Sequence, residues 1–178
     1  MRGDSEQQFA IGLIPLIPLS DPRNDFEELK NEKPLVLNTC TWVFRSQEFI
    51  DWRDNEAVAM VGITGNPGIG KTVISIFLVG SLKQHFTGFE RTIQGPIYFF
   101  CESFDRKCNS DIAILRGLLY QLCQIEGMKK HFYNECKLQK EPKENMLQSF
   151  QTLWRILCKM IEDEDASGLI IIIDALDE

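Results

Sequence analysis

Gly65, Asn66, Pro67, Gly68, Ile69, Gly70, Lys71 and Thr72 fill the pattern GxxxxGK[ST] at every fixed position, and no other stretch limits the fold as much. The apolar run from Ala57 to Thr64 before it reads as a buried parallel strand. After it, Val73, Ile74, Phe77, Leu78 and Leu82 recur at helical spacing, predicting a helix that ends near His85 to Gly88. Strand, glycine loop and helix stand in the order that a phosphate-binding loop needs. Glycines let backbone amides turn toward phosphate oxygens, and a helix start adds its positive end to the anion site. On this reading Gly65 to Thr72 bind the phosphates of a nucleotide, Lys71 neutralises the β and γ phosphates, and the Thr72 hydroxyl ligates magnesium.

The rest of the chain predicts an α/β fold around this loop. Ile97 to Phe100 reads as a second strand, followed by a polar turn from Asp105 to Asn109. Ser110 is placed to cap a helix whose Ile112, Leu115, Leu118, Leu119 and Leu122 share one face. A second apolar face, Met146, Leu147, Phe150, Leu153, Trp154, Leu157 and Ile161, marks another helix. Leu169 to Ile173 is a strand too apolar for a solvated edge, and it delivers Asp174 at its end. Such alternation indicates a parallel sheet. A carboxylate at that strand end suits a magnesium ion, held directly or through water, and Asp177 or Glu178 then polarises an attacking water.

The 178 residues are 44% hydrophobic and 10% aromatic, enough for one domain with a real core. A net charge of −7 argues against a nucleic-acid partner, which calls for a basic face. No apolar run approaches the length of a membrane span. The stretch Phe9 to Leu19 carries Pro15 and Pro18 behind Asp4 and Glu6, unlike an export signal. A soluble, cytoplasmic chain without membrane partners is therefore expected. Six cysteines contain no CxxC pair, and His85 and His131 have no partner at metal-ligand spacing, so a zinc site is not expected and the cysteines read as reduced thiols. Residues 1–40, Pro-rich and then charged, read as a leader or linker with a short helix near Asp25 to Asn31. The domain is expected to begin at Thr41, where Trp42, Phe44, Phe49 and Trp52 punctuate a polar segment.

GNPGIGKT and LIIIIDALDE, with YFFCESFD and ILRGLLYQL between them and DPRNDFEELK and WVFRSQEFIDWRD before, resemble the NACHT-type STAND NTPases. The likeness is greatest to the nephrocystin-like N-terminal module of fungal NOD-like receptors, and runs from about residue 20 to the last. The resemblance implies a three-layer P-loop NTPase fold with a mostly parallel sheet, residues 41–178 forming its N-terminal part. It implies a switch in which ADP holds the protein closed, ATP opens it, and the open form self-associates and presents an effector-bearing partner. The family's nucleotide and magnesium residues map onto Lys71, Thr72, Asp174, Asp177 and Glu178. Family members continue past the point matching Glu178, with a later strand between the loop strand and the Asp174 strand; the sheet here is thus expected to be incomplete at the C-terminus, with hydrolysis slow or absent. Arg116 stands where the family often has arginine, although an ordinary helix-surface arginine is the favoured reading. Trp42, Phe49 and Trp52 either cover the adenine end, as the resemblance suggests, or pack in the core.

Two further readings stay open: an interaction fragment with a vestigial loop, and a small P-loop kinase. No arginine-rich lid follows the second helix, which disfavours the kinase, and the absence of NKxD from the chain disfavours a GTPase.

Overall fold

The computed structural model describes residues 14, 17–36, 39–55, 60–86, 95–101, 109–125, 127–138 and 143–175. Its centre is a parallel pair of strands, β1 (Ile97–Phe100) and β2 (Ile171–Asp174), in register from Ile97 opposite Ile171 to Phe100 opposite Asp174. Around them lie the helices α1 (Pro22–Glu32), α2 (Gln47–Asp54), α3 (Lys71–Phe86), α4 (Asp111–Leu122), α5 (Lys129–Leu138), α6 (Lys143–Met146) and α7 (Phe150–Ile161).

Successive strand residues point to opposite faces, and the sequence of β1 supplies a bulky apolar group to each. Ile97 and Phe99 enter the larger core with Leu115, Leu118, Leu119 and Leu122 of α4 and Leu153, Ile156, Leu157 and Met160 of α7. Tyr98 and Phe100 face the other way, onto Phe26 and Leu29 of α1 and Ile76 and Val79 of α3. Helices therefore cover both faces of the sheet, and all four β1 residues are buried. A close approach at Gly117 sets the seat of α4: a Cβ there would lie 2.5 Å from the Phe99 ring. Cys123 and Cys136 fill the larger core as small apolar groups, and burial pushes the Cys123 thiol up to about 12.

The outer edge of β1 is closed by a side chain. Gln121 of α4 accepts from the Tyr98 amide at 3.2 Å and donates to the Tyr98 carbonyl at 2.7 Å, with a second bond to the Gly117 carbonyl at 3.0 Å. One amide thus replaces the ladder that a neighbouring strand would make. On the side of β2 away from β1, no strand pairs among the described residues, and Ile173 is 38% exposed.

Several helices lie where the sequence places them. Asp21 caps α1 and Pro22 opens it. Ser110 caps α4, accepting from the Ala113 amide at 3.2 Å. The apolar face from Met146 to Ile161 is broken, however: Ser149 caps α7 at Phe150, so the short α6 stands apart. Helix α5 has no counterpart in the sequence reading. The segment expected as a leader supplies Ile14 and Ile17 to the larger core and Phe26 and Leu29 to the smaller. Arg116 is not a surface arginine. It is buried, and its Nε donates to the Ile17 carbonyl.

The strand expected at Ala57 to Thr64 is not formed over Met60 to Thr64; residues 56–59 lie outside the described set. Val61 and Ile63 are half-buried while Gly62 and Thr64 are exposed, so the period of two survives in the side chains. What is missing is the ladder, because a strand is defined by the neighbour that takes its backbone bonds. The turn expected from Asp105 to Asn109 falls almost wholly outside the described residues. Among the described residues no helix is long and apolar enough to cross a membrane.

Between α5 and α7, the buried Glu135 carboxylate receives Arg155 Nε at 3.1 Å and Lys159 Nζ at 3.3 Å. Burial raises the Glu135 pKa, but the bonds from Arg155 and Lys159 outweigh it and hold the group below its ordinary 4.5.

Two outcomes are expected from this packing. Gln121→Leu leaves the Tyr98 amide and carbonyl buried without partners and costs about 2–4 kcal/mol in urea unfolding. Gln124→Leu, on the exposed side of the same turn, changes stability by less than about 0.5 kcal/mol. Because Glu135 has its pKa lowered by folding, its contribution is complete above the ordinary glutamate range and is lost as pH falls through the folded value. Urea midpoints measured from pH 7 down to pH 3 should fall less steeply for Glu135→Gln than for the parent chain.

Candidate phosphate-loop and carboxylate site

Residues Gly65 to Gly70 leave regular structure, and α3 begins at Lys71. The first bond of the helix runs from the Ile74 amide to the Gly70 carbonyl at 3.0 Å, so the amides of Lys71, Thr72 and Val73 have no intrahelical acceptor. Gly68 and Gly70 have φ of 82° and 93°, in the left-handed region where a side chain is strained. Those two residues turn the loop back over the helix start. The loop is exposed from Gly65 to Ile69, while Lys71 and Thr72 are half-buried. Lys71 Nζ donates to the Gly65 carbonyl at 2.9 Å, spanning the loop from its last turn to its first residue.

Two apolar clusters hold α3 in place. Ile76 and Val79 pack toward Tyr98 and Phe100. Leu78 and Leu82 pack with Val43 and Phe49, with Ile63, Ile74, Ile170 and Ile172 around them. The segment before the loop takes part here: Phe44 and Phe49 meet edge to face at 5.1 Å between centroids, and Phe49 and Trp52 lie 5.2 Å apart. Phe49 is core and Trp52 half-buried, whereas Trp42 is 55% exposed.

Asp174 closes β2 and is buried at 5% exposure. Its carbonyl accepts from the Cys101 amide at 3.2 Å, and its Oδ1 accepts from Ser75 Oγ at 2.8 Å. That bond joins the strand end to the helix that begins with Lys71 and Thr72. The sequence reading missed Ser75; the one signal available was its position four residues beyond Lys71, on the face of α3 that carries Thr72. Directly after Asp174, Ala175 has φ of 54°, a left-handed conformation that costs a non-glycine residue about 1 kcal/mol. Asp177 and Glu178 lie outside the described residues.

The structure thus brings Lys71, Thr72 and Asp174 to one helix end and one strand end. Among the described residues no group of three His, Cys, Asp or Glu is placed to hold a metal. Among the described residues a divalent cation here would find one carboxylate and one hydroxyl, and such a set completed by water and ligand oxygens suits magnesium beside phosphates.

The family model described as Nephrocystin 3, N-terminal, matches residues 38–178. Vegetative incompatibility protein HET-E-1 of Podospora anserina is 28% identical over 178 residues, covering 94% of this chain and 12% of that protein. The chain therefore spans about an eighth of that relative's length. No solved structure matches it.

The turn at Gly68 gives a clean test of the loop's backbone, because a Cβ there meets no atom within 4 Å. Asparagine tolerates the left-handed region and a β-branched residue does not. Gly68→Asn is expected to melt within about 0.5 kcal/mol of the parent chain, and Gly68→Val to lose about 1–2 kcal/mol, by thermal unfolding.

Proposed function

The chain belongs to the family Nephrocystin 3, N-terminal, and we propose that it is a nucleotide-binding switch element of the NACHT/STAND class, taking ATP or ADP with magnesium at Gly65 to Thr72. The observation that carries this reading is the join between the two halves of the site. A glycine-turned loop opens a long helix at Lys71, and the same helix holds Asp174 through Ser75.

In this reading the amides of the loop and of the first turn of α3 bind phosphate oxygens, helped by the positive end of the helix. Lys71 exchanges the Gly65 carbonyl for the β and γ phosphates, which are stronger acceptors for an ammonium group. The Thr72 hydroxyl and the Asp174 carboxylate would hold magnesium, which would offset the phosphate charge. Asp177 and Glu178 follow the strand end closely enough in sequence to orient a water, with turnover slow or absent. The three-layer P-loop fold, a cytoplasmic location and signalling through self-association belong to the same proposal. Likeness to a vegetative incompatibility protein supports a signalling role.

One observation favours a second reading, an interaction module that does not bind nucleotide: Met60 to Thr64, the approach to the loop, forms no ladder. Titration with fluorescent ADP and ATP in magnesium separates the two. Saturable binding, weakened at least tenfold by Lys71→Ala, is expected. A folded chain that binds neither nucleotide would make the interaction module the better account.

A further inference from the structure

Ser75 is not part of the loop motif, yet it is the described side chain that reaches the Asp174 carboxylate. Its hydroxyl has one proton and two acceptors within reach: Asp174 Oδ1 at 2.8 Å and the Lys71 carbonyl at 3.3 Å. The carboxylate is both nearer and the stronger acceptor, so the proton goes to Asp174. Asp174 needs such a partner, because a buried carboxylate must be hydrogen-bonded. Its ladder fixes only the backbone, and the chain turns away at once through the left-handed Ala175.

We propose that Ser75 is a positioning residue for the cation site: by engaging Oδ1 it fixes the rotamer of Asp174 and leaves Oδ2 for a magnesium–nucleotide complex on the Thr72 side of α3. This inference rests on the nucleotide reading above. Thr72 precedes Ser75 by three residues, so the two hydroxyls lie on neighbouring turns of one helix face. Ser75 touches neither phosphate nor metal in this arrangement. It acts through the carboxylate, and its effect is therefore confined to the magnesium-dependent part of binding.

Ser75→Thr and Ser75→Val form the test, since they share a shape and differ in the hydroxyl. Fluorescent ADP is titrated into each full chain with magnesium and again with EDTA. Expected is a loss of about tenfold for Ser75→Val in magnesium, none in EDTA, and binding by Ser75→Thr within about twofold of the parent. Equal losses in the two variants, a loss that persists in EDTA, or no loss in Ser75→Val would overturn the proposal. A parent chain that binds without regard to magnesium would instead defeat the cation role of Asp174, and this inference with it. Urea unfolding in EDTA gives a check independent of nucleotide: Ser75→Val and Asp174→Asn should be non-additive, and additive effects would show the two side chains to be uncoupled.

Discussion

The pairing of Ile97–Phe100 with Ile171–Asp174 is the constraint on which the remaining structure depends. It brings together two segments more than seventy residues apart in the chain, so the cost of closing that loop must be met by burial on both faces. The sequence of β1 makes this feasible, since all four of its residues are bulky and apolar. One register places Ile97 and Phe99 among the leucines of α4, and Tyr98 and Phe100 against α1 and α3. A slip of one residue would exchange the two sets and set Tyr98, with its hydroxyl 3.3 Å from Lys83 Nζ, into the drier α4–α7 side. The ladder ends with Asp174 opposite Phe100, which fixes the height at which the carboxylate leaves the sheet.

The edge of this pair is finished asymmetrically, and that asymmetry bears on the site. Gln121 takes both backbone groups of Tyr98, the groups that a further strand would use at that position. The α1 segment reinforces the same side, with Arg23 bonded to the Tyr120 hydroxyl at 2.8 Å and the Phe26 ring tilted against Tyr98 at 5.1 Å between centroids. On the β2 side no such closure is present among the described residues. There Ile63 and Ile170 complete an apolar cluster under α3 through side chains alone.

Much of this architecture was legible in the sequence because it rests on local signals. Strand β1, helices α3 and α4, and the strand leading to Asp174 follow from apolar periodicity and from the cap Ser110, and the short helix read near Asp25 to Asn31 falls within α1. Four features were not legible, each because its cause lies elsewhere in the chain. Met60 to Thr64 has the composition of a strand, but the ladder depends on a neighbour that composition cannot supply. Helix α5 has a polar sequence, and it is held by Phe132 in the core and by Glu135, whose cationic partners sit twenty and twenty-four residues on. Arg116 reads as a surface residue until the Ile17 carbonyl is brought to it by the folding of the leader. The loop residues Gly65 to Thr72 were legible as a motif; Ser75, which depends on a contact across 99 residues, was not.

With no ladder among the described residues between the approach to the loop and β2, the spacing of Lys71 and Thr72 from Asp174 is set by α3. The helix is held from one side by Ile76 and Val79 and from the other by Leu78 and Leu82, so its axis is fixed against both the sheet and the α2 segment. Lys71 and Thr72 move with that axis, and Asp174 is tied to it by one hydrogen bond. A shift of α3 along its length therefore carries the loop, the hydroxyl and the carboxylate together, whereas a change in the Val43–Phe49 packing would tilt the helix and strain the Ser75 bond. Packing beneath the helix, rather than the loop alone, thereby governs whether the carboxylate and the glycine loop face one another.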